Sequence, residues 1–299
     1  MHKKRRRLFK KTAAVLLALL LFCSAGTIGV GAASAWPRGE INDRVHTHYE
    51  NIPVTVERGG VKVSDCYLIL ETTYAPLRSF ADAICTGARV SFNAATRTAV
   101  VEADGLYLTA RDGASYIVAN GRYLYVDTPV VILDDGRTYV PVRALAKALG
   151  VGITWNGATR SVTVTGQYTP ILSGDQFYDA DAVYWLSRII SAESQGEPLL
   201  GQIAVGNVVL NRVASRDFPN TIWGVIFDRR YGVQFTPVAN GTVYDQPYYL
   251  SVIAAKICLE DVTVSPNALY FMNPALSTSF WIPSARPYAF TIGTHRFYY

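Results

Sequence analysis

Glu193 is the residue whose setting most suggests chemistry. It lies near the end of the run DAVYWLSRIISAES (181–194), in which Leu186, Ile189 and Ile190 recur at helical spacing. Glu193 falls seven residues after Leu186 and four after Ile189, so it projects from the same apolar stripe. Desolvation disfavours a carboxylate and raises its pKa, which is what a general acid working near neutral pH requires. Spacing alone leaves a second reading open: Gly196 and Pro198 end the helix within a turn, so Glu193 could reach solvent or cap a backbone amide. Glu197 stands at the Gly-Glu-Pro corner, where its charge favours the start of a second helix with Pro198 in the first turn, and a structural role is expected for it. Asp217, Asp228 and Asp245 are further carboxylates, none in a motif that marks a catalytic partner. Two other chemistries are weaker on local grounds. Cys258 sits late in an apolar helix before Glu260 and Asp261, whereas an activated thiolate wants a helix N-terminus or a cationic neighbour. His295 is the only histidine after Asp179, too few for a typical zinc hydrolase.

The elements that must position Glu193 follow from periodicity. Ala204, Val205, Val208, Val209 and Val213 make the second helix apolar enough to pack on more than one side, with Asn207 and Asn211 one turn apart as buried hydrogen-bonding residues or site-lining ones. Ile222 to Phe227 reads as a short helix and Tyr248 to Leu259 as another. Asp228 to Gly241 reads as a polar loop, and its Gln234, Phe235 and Asn240 are the first choice for substrate contact, because an amide beside an aromatic ring suits a sugar bearing an N-acetyl group. Tyr270, Trp281, Tyr288 and Phe297 belong to an aromatic-rich end that fills a core or walls a groove.

The motifs AESQGEP, GQIAVGNVVLNRV, FPNTIWGVIFD, QFTPVANG, ALYFMNP and IGTHRFY, in that order between about Asp179 and Tyr299, resemble the cell wall hydrolase family typified by spore cortex-lytic enzymes. The resemblance implies a mainly helical, lysozyme-like domain related to lytic transglycosylases, with Glu193 as catalytic acid and Ser194 beside it. Gln195 departs from the basic residue that many relatives carry. The resemblance also places Asn273 and Trp281 near the cleft, and Tyr270 is a further candidate for substrate contact. It implies a peptidoglycan substrate cut between N-acetylmuramic acid and N-acetylglucosamine, spore cortex included, with no metal and no cofactor. Because no second carboxylate is marked, lytic transglycosylation, in which one acid/base suffices, is expected rather than hydrolysis. The alternatives are an N-acetylmuramoyl-L-alanine amidase or peptide-stem hydrolase, and a non-catalytic wall-binding or spore-coat protein.

Upstream the chain repeats itself. Thr73 to Ala81 (TYAPLRSFA) returns as Thr138 to Ala146 (TYVPVRALA), and Val90 to Val101 (VSFNAATRTAVV) returns as Ile153 to Val164 (ITWNGATRSVTV). Each copy predicts a short amphipathic helix and two strands joined at an Asn-led turn, so the expected fold class is α+β: two small strand-rich modules followed by the helical domain. The pattern resembles copper amine oxidase N-terminal-like repeats, but neither copy contains a histidine or a paired cysteine set, and no copper site is expected. A wall polymer or a coat protein is the expected partner of the repeats.

Residues 1–35 read as an export signal, with a basic run from Lys3 to Lys11, an apolar stretch from Ala13 to Phe22 and Ala33-Ser34-Ala35 before cleavage. The expected location is therefore secreted, at the cell wall or spore envelope, with no stable membrane anchor after processing. Seven of the 28 basic residues leave with the signal, so 21 face 23 acidic residues, a net of −2 that removes the electrostatic case for nucleic acid binding. Cys66 and Cys85 are candidates for a disulfide, and Cys258 is left over. The expected organisation is a polar lead at 36–51, repeats at 52–166, a linker at 167–178 and a catalytic domain at 179–299 that works without the repeats.

Overall fold

The computed structural model describes residues 50–277 and 281–299. The expected signal and nearly all of the polar lead lie outside the described residues. No helix among the described residues is long and apolar enough to cross a membrane.

The chain is α+β, strand-rich at first and mainly helical afterwards. The two copies of the repeat are present, but they are halves of one unit. Thr72–Pro76 of the first copy pairs antiparallel with Thr138–Pro141 of the second, Ala75 opposite Val140, at the centre of a five-stranded sheet. The next residues form helix α1 (Leu77–Ile84) in the first copy and α2 (Val142–Ala148) in the second, each entered from a proline. The hairpin of the first copy, Arg89–Asn93 with Thr98–Ala103, extends into a second five-stranded sheet ending at Arg122–Tyr125. The hairpin of the second copy, Gly152–Asn156 with Ser161–Thr165, pairs in parallel with Val54–Val56 from the start of the described chain. Both turns are led by asparagine side chains, Asn93 accepting from the Thr96 amide and Asn156 from the Ala158 and Thr159 amides. One core, containing Phe80 and Leu108 as well as Leu145 and Leu149, spans both copies. The pair of small strand-rich modules thus shares one sheet and one core: each central strand has an unpaired edge, and the other copy satisfies it. Cys66 and Cys85 are buried in this core as free thiols, and burial pushes them up to about 12 and about 11.

The stretch expected as a linker is a strap packed on the repeat unit. The Thr169 amide donates to the Leu149 carbonyl at 3.1 Å, the Gly174 amide donates to the Asn120 carbonyl at 2.7 Å, and the Asn120 side chain donates to the Ile171 carbonyl at 3.0 Å. Gly150, at φ +64°, is required by this contact, since a Cβ there would lie 2.0 Å from the Thr169 carbonyl oxygen. A one-turn helix α3 (Gly174–Phe177), closed by a Ser173/Gln176 capping box, ends the strap.

Beyond it, α4 (Ala180–Ser194), α5 (Leu199–Ala214) and α8 (Tyr249–Cys258) form the core, with the short α6 (Ile222–Ile226) and α7 (Thr236–Asn240) between them. Asp179 caps α4 by accepting from the Ala182 amide, and Pro198 caps α5, so that helix begins one residue later than expected. Gly206 lets the three core helices approach, since a Cβ there would lie 2.7 Å from both the Cys258 sulfur and the Ile190 side chain. Asn207 bonds the Val262 carbonyl and the Val264 amide, and Asn211 bonds the Ser265 and Ala268 carbonyls; both asparagines tie down the segment after α8. The chain then passes through Tyr270–Met272, α9 (Trp281–Ala285) and the hairpin Tyr288–Ile292 with His295–Tyr298, whose second strand is the middle one of a three-stranded sheet.

Where the repeat unit meets the helices, Glu260 is buried. Its carboxylate accepts two bonds from Arg122, at 2.7 and 2.6 Å, one from Tyr178 at 2.9 Å, and pairs with Lys147 at 2.9 Å. The Arg122 guanidinium also stacks on Phe177 at 3.4 Å. Burial raises the Glu260 pKa, and the Arg122 and Lys147 contacts outweigh it, leaving the carboxyl below its ordinary range.

Candidate active site

Glu193 lies in the last turn of α4, where the stripe formed by the fully buried Leu186, Ile189 and Ile190 emerges from the core. Its carboxyl is half-buried and makes no hydrogen bond or ion pair among the described residues. Burial pushes its pKa from 4.5 up to about 7, against the opposing pull of the Arg212 charge. A substantial fraction is therefore protonated at neutral pH, and the group can give a proton and take one back.

Arg212 is the arginine of the GNVVLNRV run, in the last turn of α5. It is 5% exposed. Its Nε donates to the Leu269 carbonyl at 2.7 Å, and the guanidinium lies 4.9, 5.2 and 5.3 Å from the rings of Phe218, Phe235 and Tyr270. Its Nη1 is buried without a partner. Burial lowers its pKa to about 10, so the charge persists at neutral pH. The charge of this buried cation favours the ionised form of Glu193. No local pattern marks this setting, because the rings of Phe218, Phe235 and Tyr270 come from three separate segments further along the chain.

The expected substrate contacts divide. Phe235 is buried in the core against Arg212, and α7 occupies part of the expected polar loop, so its role as a sugar contact is corrected. The Asn240 side-chain oxygen Oδ1 accepts from the Thr242 amide and hydroxyl and closes a turn, and the Gln234 side-chain Nε2 donates to the Gly232 carbonyl at 3.2 Å. The Ser194 hydroxyl is buried and donates to the Ile190 carbonyl at 2.7 Å, which turns it into its own helix and away from a ligand. Tyr270 and Trp281 pack edge to face at 5.9 Å, with Arg286 lying 4.5 Å from the Tyr270 ring. This pair leads from the Arg212 cage to the surface, where Trp281 is 54% exposed. Asn273 donates to the Thr294 hydroxyl at 2.9 Å.

That threonine explains Glu197. Its Oε2 accepts from the Thr294 amide at 3.0 Å, its Oε1 accepts from the Thr294 hydroxyl, and His295 lies 3.7 Å away. Burial keeps the His295 pKa below its ordinary value, partly countered by Glu197. Gly293, at φ +57°, leaves room for this contact, since a Cβ there would lie 1.8 Å from Oε2. Glu197 thus latches the α4–α5 corner to the C-terminal hairpin. Asp228 is likewise engaged by Arg230, whose bonds hold it below the usual carboxylate range. Cys258 is buried, donates to the Ile203 carbonyl, and is pushed well above an ordinary thiol by desolvation. Among the described residues no three His, Cys, Asp or Glu side chains cluster as metal ligands.

Comparison with known proteins adds the following. Residues 196–298 match the family described as Cell Wall Hydrolase, a match that begins just after Glu193, and residues 60–164 match the Copper amine oxidase N-terminal domain. A spore cortex-lytic enzyme of Bacillus cereus is 42% identical over 120 residues, 40% of this chain and 45% of that protein. That of Bacillus subtilis strain 168 is 40% identical over 112 residues, 38% of this chain and 35% of that protein. The chain thus spans less than half the length of these relatives. A solved structure, the catalytic domain of the germination-specific lytic transglycosylase SleB from Bacillus anthracis, is 40% identical; the match covers 43% of this chain and all of that one, with a TM-score of 0.38. The chain thus carries a cell wall hydrolase domain in its C-terminal region, behind a copper amine oxidase-type N-terminal domain.

Proposed function

We propose that this protein cleaves peptidoglycan glycan strands between N-acetylmuramic acid and N-acetylglucosamine, with Glu193 as the single acid/base of a lytic transglycosylase. The observation that carries the reading is a desolvated carboxyl with a pKa near 7 and no partner, beside carboxylates that already have one. Glu193 gives its proton to the oxygen leaving C1 of the muramic acid. The C6 hydroxyl of the same sugar attacks C1 and surrenders its proton to the Glu193 carboxylate. One C–O bond breaks, another forms, no water is consumed, and the acid is regenerated. Arg212 stabilises the intervening carboxylate.

The names of the relatives support spore cortex as the substrate and a wall location as the place of action. Neither copper nor another cofactor enters this reading: residues 60–164, matched by the copper amine oxidase domain, contain no histidine. Mass spectrometry of products from purified cortex and from vegetative peptidoglycan tests the proposal. Ends of the 1,6-anhydromuramoyl type are expected. Reducing ends, heavier by one water, would make the enzyme a hydrolase, and intact glycan with cleaved stems would replace the reading by an amidase or peptidase.

A further inference from the structure

The repeat unit contains a cavity of 420 Å³ at the junction of its two halves, remote in sequence from every residue of the proposed active site. The strand Thr72–Pro76 and its preceding turn contribute one side; α2 and the hairpin Gly152–Asn156 with Ser161–Thr165 contribute the other. Trp155, 45% exposed, lines it, and Ile153 and Val142 give it an apolar floor. Around them stand Glu71, Asp127 and Arg143, all exposed and none in an ion pair or side-chain hydrogen bond among the described residues. Glu71 is held there by a tight turn in which both Leu70 (φ +48°) and Glu71 (φ +62°) are left-handed, a conformation that side chains of this kind rarely adopt.

The internal duplication supplies a control. Arg78 occupies in the first copy the place of Arg143 in the second, yet it donates to the Val90 carbonyl of its own hairpin at 2.7 Å. Arg97, the counterpart of Arg160, pairs with Asp112 at 2.8 Å, and Arg160 itself is taken by Glu50. Of these four repeated arginines, Arg143 alone has its donors uncommitted while lining a cavity.

We propose that this cavity is a saccharide-binding site, taking a short run of neutral N-acetylated sugars. An exposed indole face suits the C–H face of a pyranose, and the cavity lies within the size range of small-molecule sites. Planar charged groups of both signs suit hydroxyls and acetamido groups, which both donate and accept. Two carboxylates against one uncommitted guanidinium disfavour a polyanion such as a phosphate polymer. The site would hold the protein on a glycan independently of cleavage.

The test uses the full chain without its signal, carrying Glu193→Gln so that no turnover intervenes, with the tryptophan indoles labelled with nitrogen-15. The Trp155 signal, assigned through Trp155→Phe, should shift on adding the N-acetylglucosamine tetramer, with half-saturation at about 1 mM or below. Arg143→Ala should weaken that binding about tenfold and Arg78→Ala should leave it unchanged. The proposal is overturned if the Trp155 signal stays still, if the two arginine variants behave alike, or if a stem peptide or poly(glycerol phosphate) moves it at lower concentration than the sugar. Because binding is read directly, failure here is separable from failure of the proposed cleavage.

Discussion

Glu193 and Glu260 are two carboxylates near the ends of packed helices, both penalised by burial, and they end in opposite states. Glu260, at the junction of the repeat unit with the helices, has an arginine, a lysine and a tyrosine hydroxyl around it, and its pKa falls below the ordinary range. Glu193 has only the opposing charge of Arg212, and its pKa rises to about 7. Burial alone therefore does not make an acid. The difference is the absence of donors to Glu193 among the described residues, in a fold that supplies them generously to Glu260, Glu197 and Asp228.

The largest effect expected from breaking this contrast is on turnover. Glu193→Gln keeps the shape but has no proton to give, so glycan cleavage should fall by about 10²- to 10⁴-fold or more in a protein that remains folded, measured by release of soluble fragments. Near wild-type turnover would remove Glu193 from the mechanism. Since the acid must be protonated, kcat/KM of the parent should decline as pH rises through about 7.

Next in size is the junction. Glu260→Ala leaves the buried Arg122 and the Lys147 charge without their carboxylate, and a loss of about 3–5 kcal/mol in unfolding free energy is expected from denaturant titration. A fragment beginning at Asp175 keeps Tyr178 but loses both cations. It should be less stable than the full chain at neutral pH and should recover part of the difference with Glu260→Gln. If the fragment matches the full chain in stability and soluble turnover, the junction is incidental and the helices form an independent domain.

The smallest effect has the opposite sign. A glutamate whose folded pKa is raised binds its proton more tightly when folded, so its contribution to stability is lost as pH rises from about 4.5 through about 7. Glu193→Gln should therefore be more stable than the parent above pH 7, by about 3 kcal/mol at most, and the gain should vanish below pH 4. A gain independent of pH would point to packing and not to charge.

Much of this was legible in the sequence. The stripe Leu186, Ile189, Ile190, Glu193 is a local pattern, and local patterns survive into structure. So is the duplication, although its interleaving was hidden: pairing of Ala75 with Val140 is a long-range choice that neither segment announces. Gly166, Pro170 and Gly174 read as a linker because glycine marks both loose chain and close backbone approach; Gly166 stands in open space at φ +89°, but Gly174 is the second kind, since a Cβ there would lie 2.7 Å from the Gly121 carbonyl oxygen. Phe235 lay in a polar stretch, yet its ring was drawn into the core by Arg212, more than twenty residues earlier. Arg122 and Glu260 are 138 residues apart, and no spacing rule connects them.

The comparison can be read in one experiment. With glutamate carboxyls labelled with carbon-13, an NMR titration of the chain from residue 36 onward follows Glu193 and Glu260 together, assigned through Glu193→Gln and Glu260→Gln. The account predicts a midpoint of about 7 for Glu193 and one below the usual carboxylate range for Glu260. A Glu193 midpoint in the ordinary range near 4.5 would contradict it, because the carboxyl would then be ionised at neutral pH and could not serve as the acid.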